Sequence, residues 1–261
     1  MLVKIDEIFA LENKRSDLAS KGDYSELIKT YSLKGQEIKD KNSPHFWNVL
    51  NLRTYISKES NPMAFDRIKI VSRLLKRDKN TRVLNVGAGA GDLENLVLRK
   101  FDTNFDWFGI DISPKSVSGL KKEFPRANFK LGNISNIMYK DNFFDSVILM
   151  EILEHIKPSV VLSAIKEVKR VLKNKGNLVV TVPLNEGLEE IVKKGNNPNA
   201  HVRVYTPELI TAELTISGFE VVYKKFLFAF HKHYFIKSFV ANYLMRGIKN
   251  PNNIILCCKK A

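Results

Sequence analysis

The chain predicts an α/β fold, doubly wound around a parallel sheet, and three observations carry that expectation. Short apolar runs alternate with amphipathic stretches between residues 81 and 186, the pattern of strands joined by crossover helices. A glycine-rich turn, Gly87-Ala88-Gly89-Ala90-Gly91, separates the first of these runs from a helix. An aspartate, Asp111, ends the second run, 20 residues beyond Gly91.

The elements follow in order. Residues 1–80 read as helices: Ile5, Ile8, Phe9 and Leu11 recur at helical spacing, as do Ile68, Ile70, Val71, Leu74 and Leu75, with a break at Asn61-Pro62. Strands are predicted over 83–86, 107–110, 128–131, 146–150 and 178–182, with helices over 93–101, 116–124 and 160–172. Thr206-Pro207 starts a further helix, because proline suits the first helical turn and threonine caps it. A strand over 219–228, an aromatic helix and a strand over 254–258 complete the order.

Composition narrows the class. Hydrophobic residues make up 44% and charged residues 27%, which excludes a disordered, collagenous or disulfide-scaffold protein. A chain of 261 residues buries a core large enough to need no metal or disulfide staple. The excess of 42 Lys and Arg over 28 Asp and Glu, +14 in all, permits an anionic partner such as RNA or a membrane surface. The two cysteines, Cys257 and Cys258, are adjacent and too few for a framework, as expected in a reducing cytoplasm. No apolar run approaches the roughly 18 residues of a spanning helix, and the charged stretch from Met1 to Arg15 has no secretory core. A cytoplasmic location is expected.

The glycine turn lets backbone N–H groups approach a ligand at a helix start. A dinucleotide fingerprint would place a third glycine at position 92, where this chain has Asp92. The Gly-x-Gly-x-Gly spacing therefore argues against a pyrophosphate cofactor. Asp111, at a strand end, can accept both hydroxyls of a ribose; the alternative is a cap for the helix near Pro114, which Ser113 can provide equally well. Asn133, at the end of the third strand, can meet an adenine edge while the Ile134 N–H meets a ring nitrogen; the alternative is a plain turn residue.

Three later stretches complete a pattern: Phe144-Asp145 before an apolar strand, Leu153-Glu154-His155, and Leu172-Lys173-Asn174-Lys175-Gly176. Taken together, the chain resembles the class I S-adenosylmethionine-dependent methyltransferases over about residues 61–220. Within that class, Met150 to Ile156 and His201 to Leu209 resemble the ubiquinone-pathway O-methyltransferases, the methyltransferase type 11 group. The resemblance implies a Rossmann-like seven-stranded sheet with its last strand antiparallel. It implies a helical lid over residues 1–60 and a cofactor-binding domain over 61–261, with Tyr31, His45, Phe46 and Trp47 as lid candidates for acceptor contact. Gly87, Ala88, Gly89 and Gly91 match the loop along the methionine part of S-adenosylmethionine, Asp111 the ribose acid, Ile112 the residue flanking adenine, and Met150 a residue beside the cofactor. Asn133 stands where the family more often has Asp, and Asn85 departs from the usual acid near the first strand's end. Arg67, 20 residues before Gly87, is matched to an arginine near the cofactor carboxylate; its alternative is a solvated helix face.

Methyl transfer is an in-line displacement, so alignment of donor and acceptor supplies much of the catalysis. A hydroxyl acceptor also needs a base or a metal. Glu151, His155 and His201 are the candidate catalytic residues. Glu151, Glu154, His155 and His201 form a candidate set for Mg, Mn or Zn, since carboxylates with imidazoles suit those ions. Similar constellations hold a divalent ion in small-RNA 2′-O-methyltransferases and some quinone enzymes. The competing reading is a structural histidine, with solvent taking the proton. The expected function is methyl transfer to a hydroxyl of a small-molecule, sugar or lipid-linked acceptor. The alternatives are an RNA methyltransferase and a catalytically inactive cofactor-binding regulatory subunit. No Asn/Asp-Pro-Pro-aromatic motif follows the fourth strand, against exocyclic base amines as acceptors. Residues 221–261 carry eight Lys and Arg, no acid, and interleaved aromatics. These read as nucleic-acid contact, peripheral membrane contact, or core aromatics with solvated lysines.

Overall fold

The computed structural model describes residues 5–33, 37–50, 56–57, 60–76, 78–100, 105–230, 233–241 and 250–261. His231, Lys232, Tyr243, Arg246 and Lys249 of the basic segment lie outside the described residues, as does Phe101 of the predicted helix over 93–101. Seven strands form one sheet: β1 (Arg82–Val86), β2 (Asp106–Asp111), β3 (Asn128–Leu131), β4 (Phe144–Met150), β5 (Leu172–Pro183), β6 (Phe219–Leu227) and β7 (Asn253–Lys260). Their spatial order is β3-β2-β1-β4-β5-β7-β6. The first five pair in parallel, and β7 pairs antiparallel with both β5 and β6. The expected sheet, with its last strand antiparallel, is the one observed.

The chemistry of the strands explains their place. Val83, Leu84, Asn85 and Val86 are all buried, as they must be in a central strand covered on both faces. Val86 lies opposite Ile110 on one side and Leu149 on the other, so the carboxyl ends of β1, β2 and β4 meet at one edge. The chain winds outward from β1 to β3 and then returns to β4 beside β1. That reversal opens the crevice where ligands bind in such sheets.

The helices are α1 (Ile5–Lys21), α2 (Tyr24–Thr30), α3 (Pro44–Leu50), α4 (Pro62–Leu74), α5 (Asp92–Lys100), α6 (Pro114–Glu123), α7 (Pro158–Val171), α8 (Leu188–Lys193), α9 (Pro207–Ile216) and α10 (Tyr234–Phe239). Proline begins several of them, and the expected starts hold: Asn61 caps α4 and Thr206 caps α9 by accepting N–H bonds three residues on. Two differences from the sequence reading stand out. β5 starts at Leu172, before the polar stretch Lys173 to Lys175 that hides it from an apolar count. α8 is short and charged, so it left no periodic signal.

The apolar core forms two large clusters, one containing Leu84, Val147 and Leu178 and the other Val83, Ile148 and Val179. Successive residues of one strand fall into opposite clusters, because strand side chains alternate across the sheet. The N-terminal helices pack on the first of these layers. Leu27 is fully buried there, and α1 touches α2, α8 and α9. Tyr31, a candidate for acceptor contact, instead joins this core, its hydroxyl donating to Glu213 of α9, so it packs the N-terminal helices against α9. α3 lies separately, against α6.

Candidate active site

A cavity of about 950 Å³ opens at the carboxyl ends of β1, β2, β4 and β5. One end is built from backbone. Gly87, Gly89 and Gly91 all take positive φ, 73°, 57° and 84°. At Gly87 a Cβ would also lie 2.1 Å from Ile152 Cδ1, so a side chain there would have to displace the Ile152 terminus as well as take a strained φ. The Gly87 and Ala88 N–H groups both donate to the Ile110 carbonyl, at 2.7 and 3.2 Å. The Gly89 N–H donates to Asp111 Oδ2 at 2.8 Å, and the Ser113 N–H to Oδ1 at 2.7 Å. Asp111 thus ties the glycine turn to the second strand. Burial raises its pKa, opposed by these backbone N–H groups. Ser113, not Asp111, caps α6, its Oγ accepting from the Ser116 N–H at 3.1 Å. Asn48 of α3 reaches this point too: its Oδ1 accepts from the Ser113 hydroxyl and the Lys115 N–H. Ile112, Asn133, Ile134 and Met150 line the same end. Asn133 Oδ1 accepts the Ser135 N–H at 2.9 Å and so shapes the turn after β3.

The middle of the cavity wall is held by Glu151, which adopts a left-handed φ of 58° just past β4. Arg67 Nη1 donates to its Oε2 at 2.7 Å. The Thr181 hydroxyl donates to its Oε1 at 2.7 Å, and Asn253 Nδ2 reaches Oε1 and Oε2 at 2.9 and 3.1 Å. Arg67 therefore sits in the cavity wall, not on a solvated helix face. Both carboxylate oxygens of Glu151 are committed to these partners.

The far end gathers Glu154, His155 and His201. Among the described residues these three bring one ligand atom each within 4.8 Å of one another. The geometry keeps Glu151, the fourth member of the predicted set, with Arg67, Thr181 and Asn253. Glu154 and His155 lie in a single 3₁₀ turn, Leu153–His155, directly after β4. Both Glu154 oxygens are buried without a hydrogen-bond partner, and His155 Nε2 lies 3.9 Å from Oε1. Burial pushes the Glu154 pKa well up, with the Glu151 charge adding to it. Burial and His201 push the His155 pKa down to about 3, so its imidazole is uncharged at neutral pH. His201 Nδ1 lies 2.6 Å from Glu186 Oε2, a carboxylate that orients the ring. The His155 and His201 rings meet edge to face at 4.7 Å, and Trp47 packs on His155 at 4.8 Å. Asn42 Nδ2 clamps the two supporting loops by donating to the His155 carbonyl at 3.3 Å and the Ala200 carbonyl at 3.0 Å.

The buried, partnerless carboxylate beside two imidazole rings fits a divalent cation by donor chemistry. Sequence reasoning missed Asn42, Thr181, Glu186 and Asn253. Glu186 alone had a local sign: it is polar and lies just beyond the carboxyl end of an apolar strand.

Comparison with known proteins agrees with this architecture. A family profile described as a methyltransferase domain matches residues 77–224. An uncharacterized protein of Methanocaldococcus jannaschii is 31% identical over 183 residues, 68% of this chain and 73% of that protein. A protein named as a probable S-adenosylmethionine-dependent methyltransferase, from Mycolicibacterium smegmatis, is 28% identical over 162 residues, 60% of this chain and 59% of that one. In fold, the chain is similar to the N-methyltransferase NodS of Bradyrhizobium japonicum, solved with S-adenosyl-L-homocysteine. The TM-score is 0.61 at 13% identity, covering 84% of this chain and 99% of NodS.

Proposed function

Because the chain belongs to the class I S-adenosylmethionine-dependent methyltransferases, we propose that it transfers the methyl group to a hydroxyl of a small-molecule, sugar or lipid-linked acceptor. The observation that carries the hydroxyl reading is the group Glu154, His155 and His201, which lines the same cavity as the glycine turn. An activated methyl needs little help to leave sulfur; a hydroxyl needs somewhere to put its proton.

The donor lies along Gly87, Ala88, Gly89 and Gly91, with Met150 beside it. Asp111 accepts the ribose hydroxyls, Ile112 flanks the adenine, and Asn133 with the Ile134 N–H meets its edge. Arg67 faces the cofactor carboxylate from its bond to Glu151, which acts as a positioning residue. Residues 1–60 serve as a lid on the cofactor-binding domain of residues 61–261. In the reaction the acceptor oxygen attacks the methyl carbon in line with the carbon–sulfur bond. That bond breaks, sulfur takes the electron pair, and S-adenosylhomocysteine leaves. The hydroxyl proton passes to the uncharged His155 imidazole. A weak base suffices, because an ether oxygen still carrying its proton is a strong acid.

A second reading is favoured by the partnerless oxygens of Glu154. Glu154, His155 and His201 would hold a divalent ion such as Mg, Mn or Zn, with Glu186 orienting His201 from behind. When bound, such an ion lowers the acceptor hydroxyl's pKa.

The test begins with methyl-labelled S-adenosylmethionine and a cell extract, partitioned after incubation. Label in the small-molecule or lipid fraction supports the hydroxyl reading; label in nuclease-sensitive material overturns it. His155→Ala should lower kcat by about 100-fold or more if it takes the proton. Calorimetric titration of the chelated protein with Mn or Zn, repeated on Glu154→Gln, separates the two readings without relying on turnover.

A further inference from the structure

The cavity's charge opposes that of the chain around it. The chain carries +14. Yet, with Glu154 kept protonated by burial, the carboxylates Asp40, Asp92, Asp111, Glu151 and Glu186 line the cavity against only two fixed cations, Arg67 and Lys157. Neither cation is idle among the described residues: Arg67 pairs with Glu151 at 2.7 Å, and Lys157 lies 3.7 Å from Asp40. With Arg67 given to the cofactor, a phosphate or carboxylate on the acceptor would meet like charge from Asp40 and Glu186. The basic exterior therefore does not continue into the site.

The acceptor end is also rich in hydrogen-bond acceptors. Asn42 Oδ1 is buried without a partner, as are both oxygens of Glu154. Asn185 spends its Nδ2 on the Pro251 carbonyl at 2.9 Å, which leaves its oxygen for a ligand. Asp40, Glu186 and Asn199 add further oxygen acceptors to the lining. Such a wall is matched by a molecule carrying many donors. Trp47, steadied on His155, gives the same end one aromatic surface. An aromatic ring offers van der Waals contact to a carbon skeleton while amides and carboxylates take its hydroxyls. At about 950 Å³ the cavity stands near the top of the ordinary small-molecule range, about 300–1,000 Å³, with room for a nucleoside cofactor and one or two further rings.

We propose that the acceptor is an uncharged polyhydroxylated ring compound, of carbohydrate type, seated against Trp47 with its hydroxyls on Asp40, Asn42, Asn185 and Asn199. This narrows the hydroxyl reading above and rests on it. It sets aside an RNA acceptor, whose phosphates would meet carboxylates, and a prenylated phenol, which would leave the acceptor oxygens of Asn42 and Asn185 without donors.

The experiment uses the full chain loaded with S-adenosylhomocysteine, whose binding is first measured by calorimetry. Absence of that binding would overturn the methyltransferase site itself, a separate result. The loaded protein is then titrated with methyl glucoside and methyl mannoside, maltose, a prenylated phenol in detergent, spermidine and a short RNA, followed by ligand-observed NMR. Binding of one or more glycosides in preference to the other probes is expected. Trp47→Ala should weaken that binding by at least tenfold with S-adenosylhomocysteine affinity unchanged. Asn199→Leu, at an exposed loop position, should weaken it severalfold in a chain that melts as the parent does. Preferred binding of the phenol, spermidine or RNA, or binding of no probe, would overturn the proposal. So would glycoside binding that neither variant changes.

Discussion

Two glutamates, both sealed from solvent, meet opposite treatment in this molecule. Glu213 is 0% exposed and its carboxylate is saturated: Tyr31 and Arg203 reach Oε1, while Arg203 and Tyr205 reach Oε2 at 3.1 and 2.9 Å. Glu154 is 1% exposed and neither of its oxygens has a hydrogen-bond partner. A buried charge is costly unless paired and hydrogen-bonded. The first carboxylate obeys that rule and serves the fold. Burial holds the second protonated instead, and its unsatisfied oxygens stand beside two histidines, which is what a site that must receive something looks like. The two are linked through the chain, because Arg203 lies two residues beyond His201. The saturated cluster pins the segment that presents the histidine to the unsaturated one.

The contrast should survive mutation with opposite signs. Glu213→Ala strands the Arg203 guanidinium in the core and should lower stability by about 3–5 kcal/mol in urea unfolding. A loss under 1 kcal/mol would mean the cluster is not the anchor described. Glu94 stands between the extremes. One of its oxygens accepts from Asn85 Nδ2 at 2.8 Å and Trp107 Nε1 at 3.1 Å; the other has no partner. Burial pushes its pKa up to about 7 from an ordinary 4.5. The folded protein therefore holds a proton that the unfolded chain releases. Its contribution is complete below pH 4.5 and is lost as pH rises through 7, about 3 kcal/mol in all. Glu94→Gln should flatten that decline between pH 5 and 8 in denaturant titrations; an unchanged slope would assign it to another group.

Asp111 is buried but held by backbone donors alone. Asp111→Ala should weaken S-adenosylhomocysteine binding by about 1.5–3 kcal/mol in calorimetry, and equal affinity would remove it from the ribose site. The smallest effect has the reverse sign. Glu154→Met, measured without divalent ions, should raise stability by about 1–2 kcal/mol, because an unsatisfied polar group leaves the core. The same variant should lose Mn or Zn binding. A destabilised Glu154→Met would show that the carboxylate has a structural partner after all.

The glycine-turn end of the cavity, where we propose the cofactor lies, is legible in the sequence because it is local. Three glycines, one aspartate and their strand ends lie within 25 residues, from Gly87 to Asp111. Their roles follow from backbone conformation, which residue type reports directly. The acceptor end is assembled from afar. Asn253 meets Glu151 across 102 positions, and Asn42 meets Ala200 across 158. An asparagine's type says only that it wants partners; packing decides which. The histidines and Glu154 were visible as a motif, but Glu151 was separable from them only by seeing Arg67, Thr181 and Asn253 take its oxygens. Tyr31 likewise reads as a lid aromatic until Glu213 is found beside it.

The position of β7 bears on how the chain is made. β5 and β6 run in the same direction and are bridged only by β7, which comes after both. During vectorial synthesis β6 leaves the ribosome with no neighbour to pair with, and the free edge of β5 waits beside it. A nascent chain halted before residue 253 would expose two unpaired strand edges and a Glu151 still lacking the Asn253 amide. The arrival of one inserted strand ends the aggregation hazard and finishes the wall of the site in the same event.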